Sequence, residues 1–180
     1  MGRLGAYKID LKGQEDAVAA YQWLVDSDFF AALDVEDIHN GHVAVDLSVT
    51  KVSGEYDLSF RMKGDVSVPC DRCLDDMSID IDTGGELKVR LGADFADDGD
   101  VVVVPELEGT INVSWYIYEF ISLAVPLKHV HAPGKCNREM SEQLEKHIVS
   151  DVENSEVDGQ VDSRWAELEK LNFEEELNND

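Results

Sequence analysis

The chain of 180 residues carries 15 basic against 39 acidic side chains, a net charge of −24, with 43% hydrophobic and 30% charged residues. A chain of this length can bury roughly 70% of its unfolded surface, and its near-average composition excludes collagen-like, wholly disordered and disulfide-dense chains. The charge repels nucleic acid and anionic lipid at long range, so direct RNA contact requires a local basic exception.

No apolar run approaches the roughly 18–20 residues of a membrane span. The opening MGRLGAYKIDLKG lacks the apolar stretch of a signal peptide, so a cytoplasmic protein without membrane contact is expected. The three cysteines, Cys70, Cys73 and Cys136, are odd in number, and in a reducing compartment they point to metal or redox chemistry rather than a disulfide framework.

In chain order, Ala17, Val18, Tyr21, Leu24 and Val25 recur at helical spacing behind acids that suit a helix N-terminus, which predicts a helix near 15–25. Val43 to Val49 and Tyr56 to Met62 then alternate across a Ser53-Gly54 break, as antiparallel strands do. Val66 and Val68 lead through Pro69 to Cys70-x-x-Cys73, after which Met77, Ile79 and Ile81 alternate with polar residues, so the two cysteines sit at a turn between strands. A further strand is predicted at Glu86 to Leu91, then a flexible acidic loop, DFADDGD. Val101 to Val104 forms a short strand ended by Pro105, and Ile111 to Val113 another. Ser114 is placed to cap a core helix through Tyr116, Ile117, Phe120 and Ile121 that stops near Pro126. Asn137 to Val149 permits an amphipathic helix. Residues 141–180 hold 13 acids and three bases, interrupted by SRWAELEKLNF, where Trp165, Leu168 and Leu171 share a helical stripe.

These elements predict an α+β fold: an antiparallel, barrel-like sheet of six or so strands with helices at its ends, over residues 1–150. An acidic tail with a short amphipathic helix follows over 151–180. Packing of the tail's apolar stripe on the parent domain is favoured over recognition of a partner, because an exposed stripe is a liability.

Zinc takes four soft or borderline ligands in a tetrahedron, and a CxxC on a strand turn delivers two thiolates to one point. His131 and Cys136, on either side of a Pro133-Gly134 turn, complete a candidate set of Cys70, Cys73, His131 and Cys136. The wide separation of its halves makes this a structural cross-link. His129, two residues before His131, is a rival ligand. A redox role for the CxxC is disfavoured, because a strand follows it instead of a helix and Asp71, Asp75 and Asp76 oppose a thiolate. No Walker loop, GxGxxG, GxSxG or HExxH is present, and no enzyme is inferred.

Three segments resemble the YceD family, the large ribosomal RNA subunit accumulation proteins. They are Cys70 to Leu74 (CDRCL), Tyr118 to Cys136 (YEFISLAVPLKHVHAPGKC) and Val161 to Leu171 (VDSRWAELEKL). The chain departs from the family pattern at Ser163, where proline is frequent, and at His131, where many members have cysteine. The resemblance implies a non-enzymatic role in large-subunit ribosomal RNA accumulation, processing or early ribosome assembly. Two modes of action follow. An acidic surface can engage a basic ribosomal protein or a large-subunit precursor. Alternatively, Arg72, Lys128, Lys135 and Arg138, gathered around the metal, can contact ribosomal RNA directly, with Lys88 and Arg90 as further bases. Arg164 and Trp165 are tail candidates for partner contact.

Overall fold

A computed structural model describes residues 3–147 except 15 and 98–100, and the first of the chain's two units ends at Leu144. The acidic tail, with Arg164, Trp165, Leu168 and Leu171, lies outside the described residues.

A 3-10 turn, Arg3–Tyr7, leads into β1 (Lys8–Asp10) and then β2 (Val18–Val25), α1 (Ser27–Leu33), β3 (Asn40–Val52), β4 (Glu55–Pro69), β5 (Asp76–Gly92), β6 (Ala96–Asp97), β7 (Val101–Pro105) and β8 (Thr110–Asn112). Helices α2 (Ser114–Ala124) and α3 (Arg138–His147) follow. The main sheet has six strands in the order β2-β3-β4-β5-β7-β6, and β1 pairs with β8 in a second, two-stranded sheet. Long strands β3, β4 and β5 form the frame because their apolar side chains alternate without a break. Val45 pairs with Met62 and Leu47 with Phe60, while Leu58 pairs with Leu87, and all are buried on one face. The β3–β4 turn places Ser53 at φ 53° and Gly54 at φ 92°, the doubly positive pattern whose twist suits a hairpin.

Phe29 and Phe30 of α1 and Ile117 and Ile121 of α2 join this buried face, with Ile9 and Ile111 from the small sheet. Asp26 caps α1 by accepting from the N–H groups of Asp28 and Phe29. Asp37, in the loop after α1, accepts from Tyr118 Oη at 2.8 Å and Ser122 Oγ at 3.1 Å. These bonds tie that loop to α2.

Several expectations are corrected. The sheet is open: β2 and the two-residue β6 remain separate edges, so no barrel closes. The helix expected near 15–25 is strand β2, with α1 beginning only at Ser27. Its exposed and half-buried residues alternate strictly, and pairing with β3 from Val18–Thr50 to Val25–Val43 overrides the local helical spacing. Glu86 to Leu91 is not a separate strand but the second half of β5, because odd-numbered residues from Met77 to Leu91 keep facing inward through Gly85. At Gly85 the Phe120 ring occupies the place of a side chain, within 2.4 Å of where a Cβ would lie. Strand β7 runs parallel to β5, since the chain passes through edge strand β6 before turning back between them. The acidic loop supplies that edge at Ala96 and Asp97. Ser114 is the first helical residue of α2, not its cap; Val113 takes the N-cap position, and Asn112 Oδ1 accepts from the Ser114 N–H at 3.0 Å.

Candidate metal centre

Strand β4 ends at Pro69, and the next residues turn back into β5. Cys70 N–H donates to Asp75 O and Leu74 N–H to Cys70 O, both at 2.9 Å. Leu74 closes the turn in the left-handed region at φ 62°, a conformation unusual for a branched side chain. This tight loop aims the Cys70 and Cys73 side chains inward, where both are buried.

The other half comes from α2. Val125 leaves the helix in an extended conformation, Pro126 prevents its continuation, and the chain crosses to the β4–β5 turn. Asp71 N–H donates to His129 O at 3.0 Å, and His129 N–H returns a bond to Asp71 Oδ2 at 2.8 Å. His131 N–H then donates to Cys70 Sγ at 3.4 Å. A turn through Gly134, at φ 77°, brings Cys136 back to the same point.

One ligand atom from each of Cys70, Cys73, His131 and Cys136 lies within 4.8 Å of every other. Cys70 Sγ and Cys136 Sγ are 4.0 Å apart, and Cys73 Sγ and His131 Nδ1 are 3.4 Å apart. A tetrahedral ion with bonds of about 2.3 Å to sulfur and about 2.0 Å to nitrogen separates its ligands by about 3.5–3.8 Å. The four side chains therefore have the chemistry and spacing to hold a metal ion, and they are the residues proposed from sequence.

His129 is outside the cluster. Its Nδ1 lies 3.0 Å from Pro126 O and its Nε2 lies 3.4 Å from Asp71 Oδ1. An extended backbone alone would place His129 and His131 on one side; the hydrogen bonds with Asp71 and Pro126 give His129 a different task. Asp71 is the residue that reading missed. It appeared only as a charge unfavourable to thiolates, whereas its backbone and carboxylate both bind the segment carrying His131.

Burial opposes ionisation of Cys70, but the N–H groups of Arg72, His131 and Cys73 outweigh it and lower the thiol to about 6. His131 is raised by its bonds to the Cys73 and Cys70 sulfurs. Cys136 is raised by burial and by the neighbouring sulfurs of Cys73 and Cys70. Without metal, the cluster thus holds protons that a cation would displace.

Arg72, Lys128, Lys135 and Arg138 are all exposed, each within three chain positions of a cluster residue. Arg138 is paired with Glu142 at 2.8 Å. Lys88 and Arg90 project from the opposite end of β5 to the CxxC turn. No helix among the described residues is long and apolar enough to cross a membrane.

An open, mostly antiparallel sheet whose end meets the segment after a helix at a Cys3His cluster defines an acidic α+β protein with a candidate metal centre. A scan against family models matches residues 58–172 to the family described as large ribosomal RNA subunit accumulation protein YceD. The match begins in β4 and includes the whole cluster; the chain belongs to the YceD family, whose name implies a role in large-subunit ribosomal RNA accumulation. No curated protein and no solved structure matches the chain.

Proposed function

We propose that this chain is a non-enzymatic, cytoplasmic ribosome-assembly factor that supports large-subunit ribosomal RNA accumulation by engaging a basic ribosomal protein or a precursor particle. The observation that carries this reading is the net charge of −24 in a member of a family tied to ribosomal RNA. Such a charge attracts a basic protein and opposes a phosphate backbone. A structural zinc ion on Cys70, Cys73, His131 and Cys136 fits the donor set and spacing. It would contribute coordination bonds that hold the β4–β5 turn against the segment following α2. Elemental analysis of protein purified without chelator tests the metal; absence of zinc refutes it.

A second reading, direct contact with ribosomal RNA, is favoured by the exposure of Arg72, Lys128 and Lys135 beside the cluster. Sucrose-gradient fractionation of native lysate, followed by binding to large-subunit proteins with RNA removed by nuclease, decides between them. Binding that survives nuclease supports the protein partner. Binding abolished by nuclease and by Arg72→Glu supports RNA, and absence from every particle together with no binding to basic protein refutes both.

A further inference from the structure

Strand β2 is an open edge of the main sheet. Its eight residues, VAAYQWLV, contain no charge and no proline, none of the usual devices that protect an edge from pairing. The bond from Lys51 N–H to Ala17 O fixes the phase of its ladder with β3. By the antiparallel alternation, the N–H and C=O groups of Val18, Ala20, Gln22 and Leu24 point away from β3. Among the described residues none of them has a backbone partner. Val18 and Leu24 are also 56% and 64% exposed, so the edge offers apolar contacts as well as hydrogen bonds.

A groove of about 410 Å³ lies beside this strand, lined by Asp10, Gly13, Gln14, Asp16, Ala19 and Tyr21. Two carboxylates and an aromatic ring suit a cationic side chain. Gln14 Oε1 is buried without a hydrogen-bond partner among the described residues. Tyr21 is stacked on Trp23 at an interplanar angle of 4°, so the ring is held in place.

We infer that the β2 edge and its adjoining groove bind an extended basic polypeptide segment, which adds a strand antiparallel or parallel to β2 and places an arginine or lysine between Asp10 and Asp16. Main-chain bonding supplies affinity in this mode, and alternate side chains supply selectivity. Charge selects the occupant. The edge is bracketed by Glu15 and Asp16 before it and by Asp26 and Asp28 after it. Antiparallel pairing with a second copy would bring these acids together across the join, whereas a basic segment neutralises them. The inference rests on the reading of this chain as a binder of basic protein and specifies where that partner docks.

The test uses the full chain and two synthetic twelve-residue peptides of equal charge, one alternating arginine with valine, the other repeating Arg-Arg-Pro-Pro. The first can form a strand on the edge; in the second, whichever alternate residues face β2 include prolines without an N–H, so it cannot. We expect at least tenfold tighter binding of the arginine-valine peptide. Amide hydrogen exchange of Val18, Ala20, Gln22 and Leu24 should slow at least tenfold on binding, while Ala19 and Tyr21, already bonded to β3, change little. Ala20→Pro removes one outward donor and should weaken binding at least tenfold; Asp16→Lys, which leaves the strand intact, should do the same through the groove. Equal affinity for both peptides without protection of the four amides overturns the docking site while leaving the basic-partner reading standing. Protection already present in the free chain overturns it also: concentration dependence would identify a second copy, and its absence another segment of the same chain. Failure of the broader reading shows separately, as no binding of nuclease-treated basic ribosomal proteins.

Discussion

Gly64→Ala tests the close strand packing that delivers Cys70 to the candidate metal centre. Gly64 lies in the interior of β4, between Val43 of β3 and Ile81 of β5. A Cβ at this position would lie 1.9 Å from His42 O and 2.7 Å from Val43 Cα. Both are main-chain atoms, so no rotamer relieves the overlap, and β3 must move away by roughly 1.5 Å to restore an ordinary contact distance. Loss of two ladder hydrogen bonds costs about 1–3 kcal/mol, and forced separation of a packed core a further 1–3 kcal/mol or so. Relief of glycine's conformational entropy offsets about 0.5–1 kcal/mol. The expected destabilisation is about 2–4 kcal/mol, or a fall in Tm of roughly 5–15 °C for a domain of this size. Urea unfolding followed by circular dichroism measures it, with Gly5→Ala as the control because a Cβ there meets nothing within 4 Å. A Gly64→Ala midpoint equal to that of Gly5→Ala would refute the reasoning.

Four further outcomes are expected. Cobalt titration should give thiolate-to-metal absorption that is lost in Cys136→Ser and altered in His131→Ala but retained in His129→Ala; the reverse ranking of the two histidines would assign the wrong ligand. Because His131 and Cys136 hold their protons more tightly than usual, metal affinity should rise from pH 6 to pH 8, and a flat profile counts against coordination by both. Tyr116 is pushed up to about 12 by burial and by the nearby Asp97 carboxylate. Its neutral form is favoured in the fold, so this contribution to stability is complete below pH 10 and is lost as the pH rises through about 12; ultraviolet titration of the five tyrosines should show a late component that Tyr116→Phe removes. Arg72→Glu should leave binding to basic ribosomal protein intact in nuclease-treated material, and a tenfold loss there would place the protein contact at the cluster.

The candidate cluster was legible because Cys70, Cys73 and Cys136 are rare residues whose chemistry restricts their use, and His131 lies near the last of them in sequence. Strands β3 and β4 were equally plain from alternation of Val43 to Val49 and Tyr56 to Met62, since a half-buried sheet imposes a period of two. Residues 17–25 were ambiguous: Tyr21, Leu24 and Val25 satisfy a helical stripe, while strand alternation is nearly hidden by Ala19 and Ala20. Only pairing with β3 decides that contest, and only tertiary placement shows that Phe120 fills the gap at Gly85. The choice of His131 over His129 likewise depends on bonds across 58 residues, from Asp71 to His129 and from Cys73 to His131. Local spacing determined which groups were available to bind a metal. The open sheet, its parallel β5–β7 pair and the orientation of each histidine were decided by long-range packing and hydrogen bonding, whose partners no local pattern identifies.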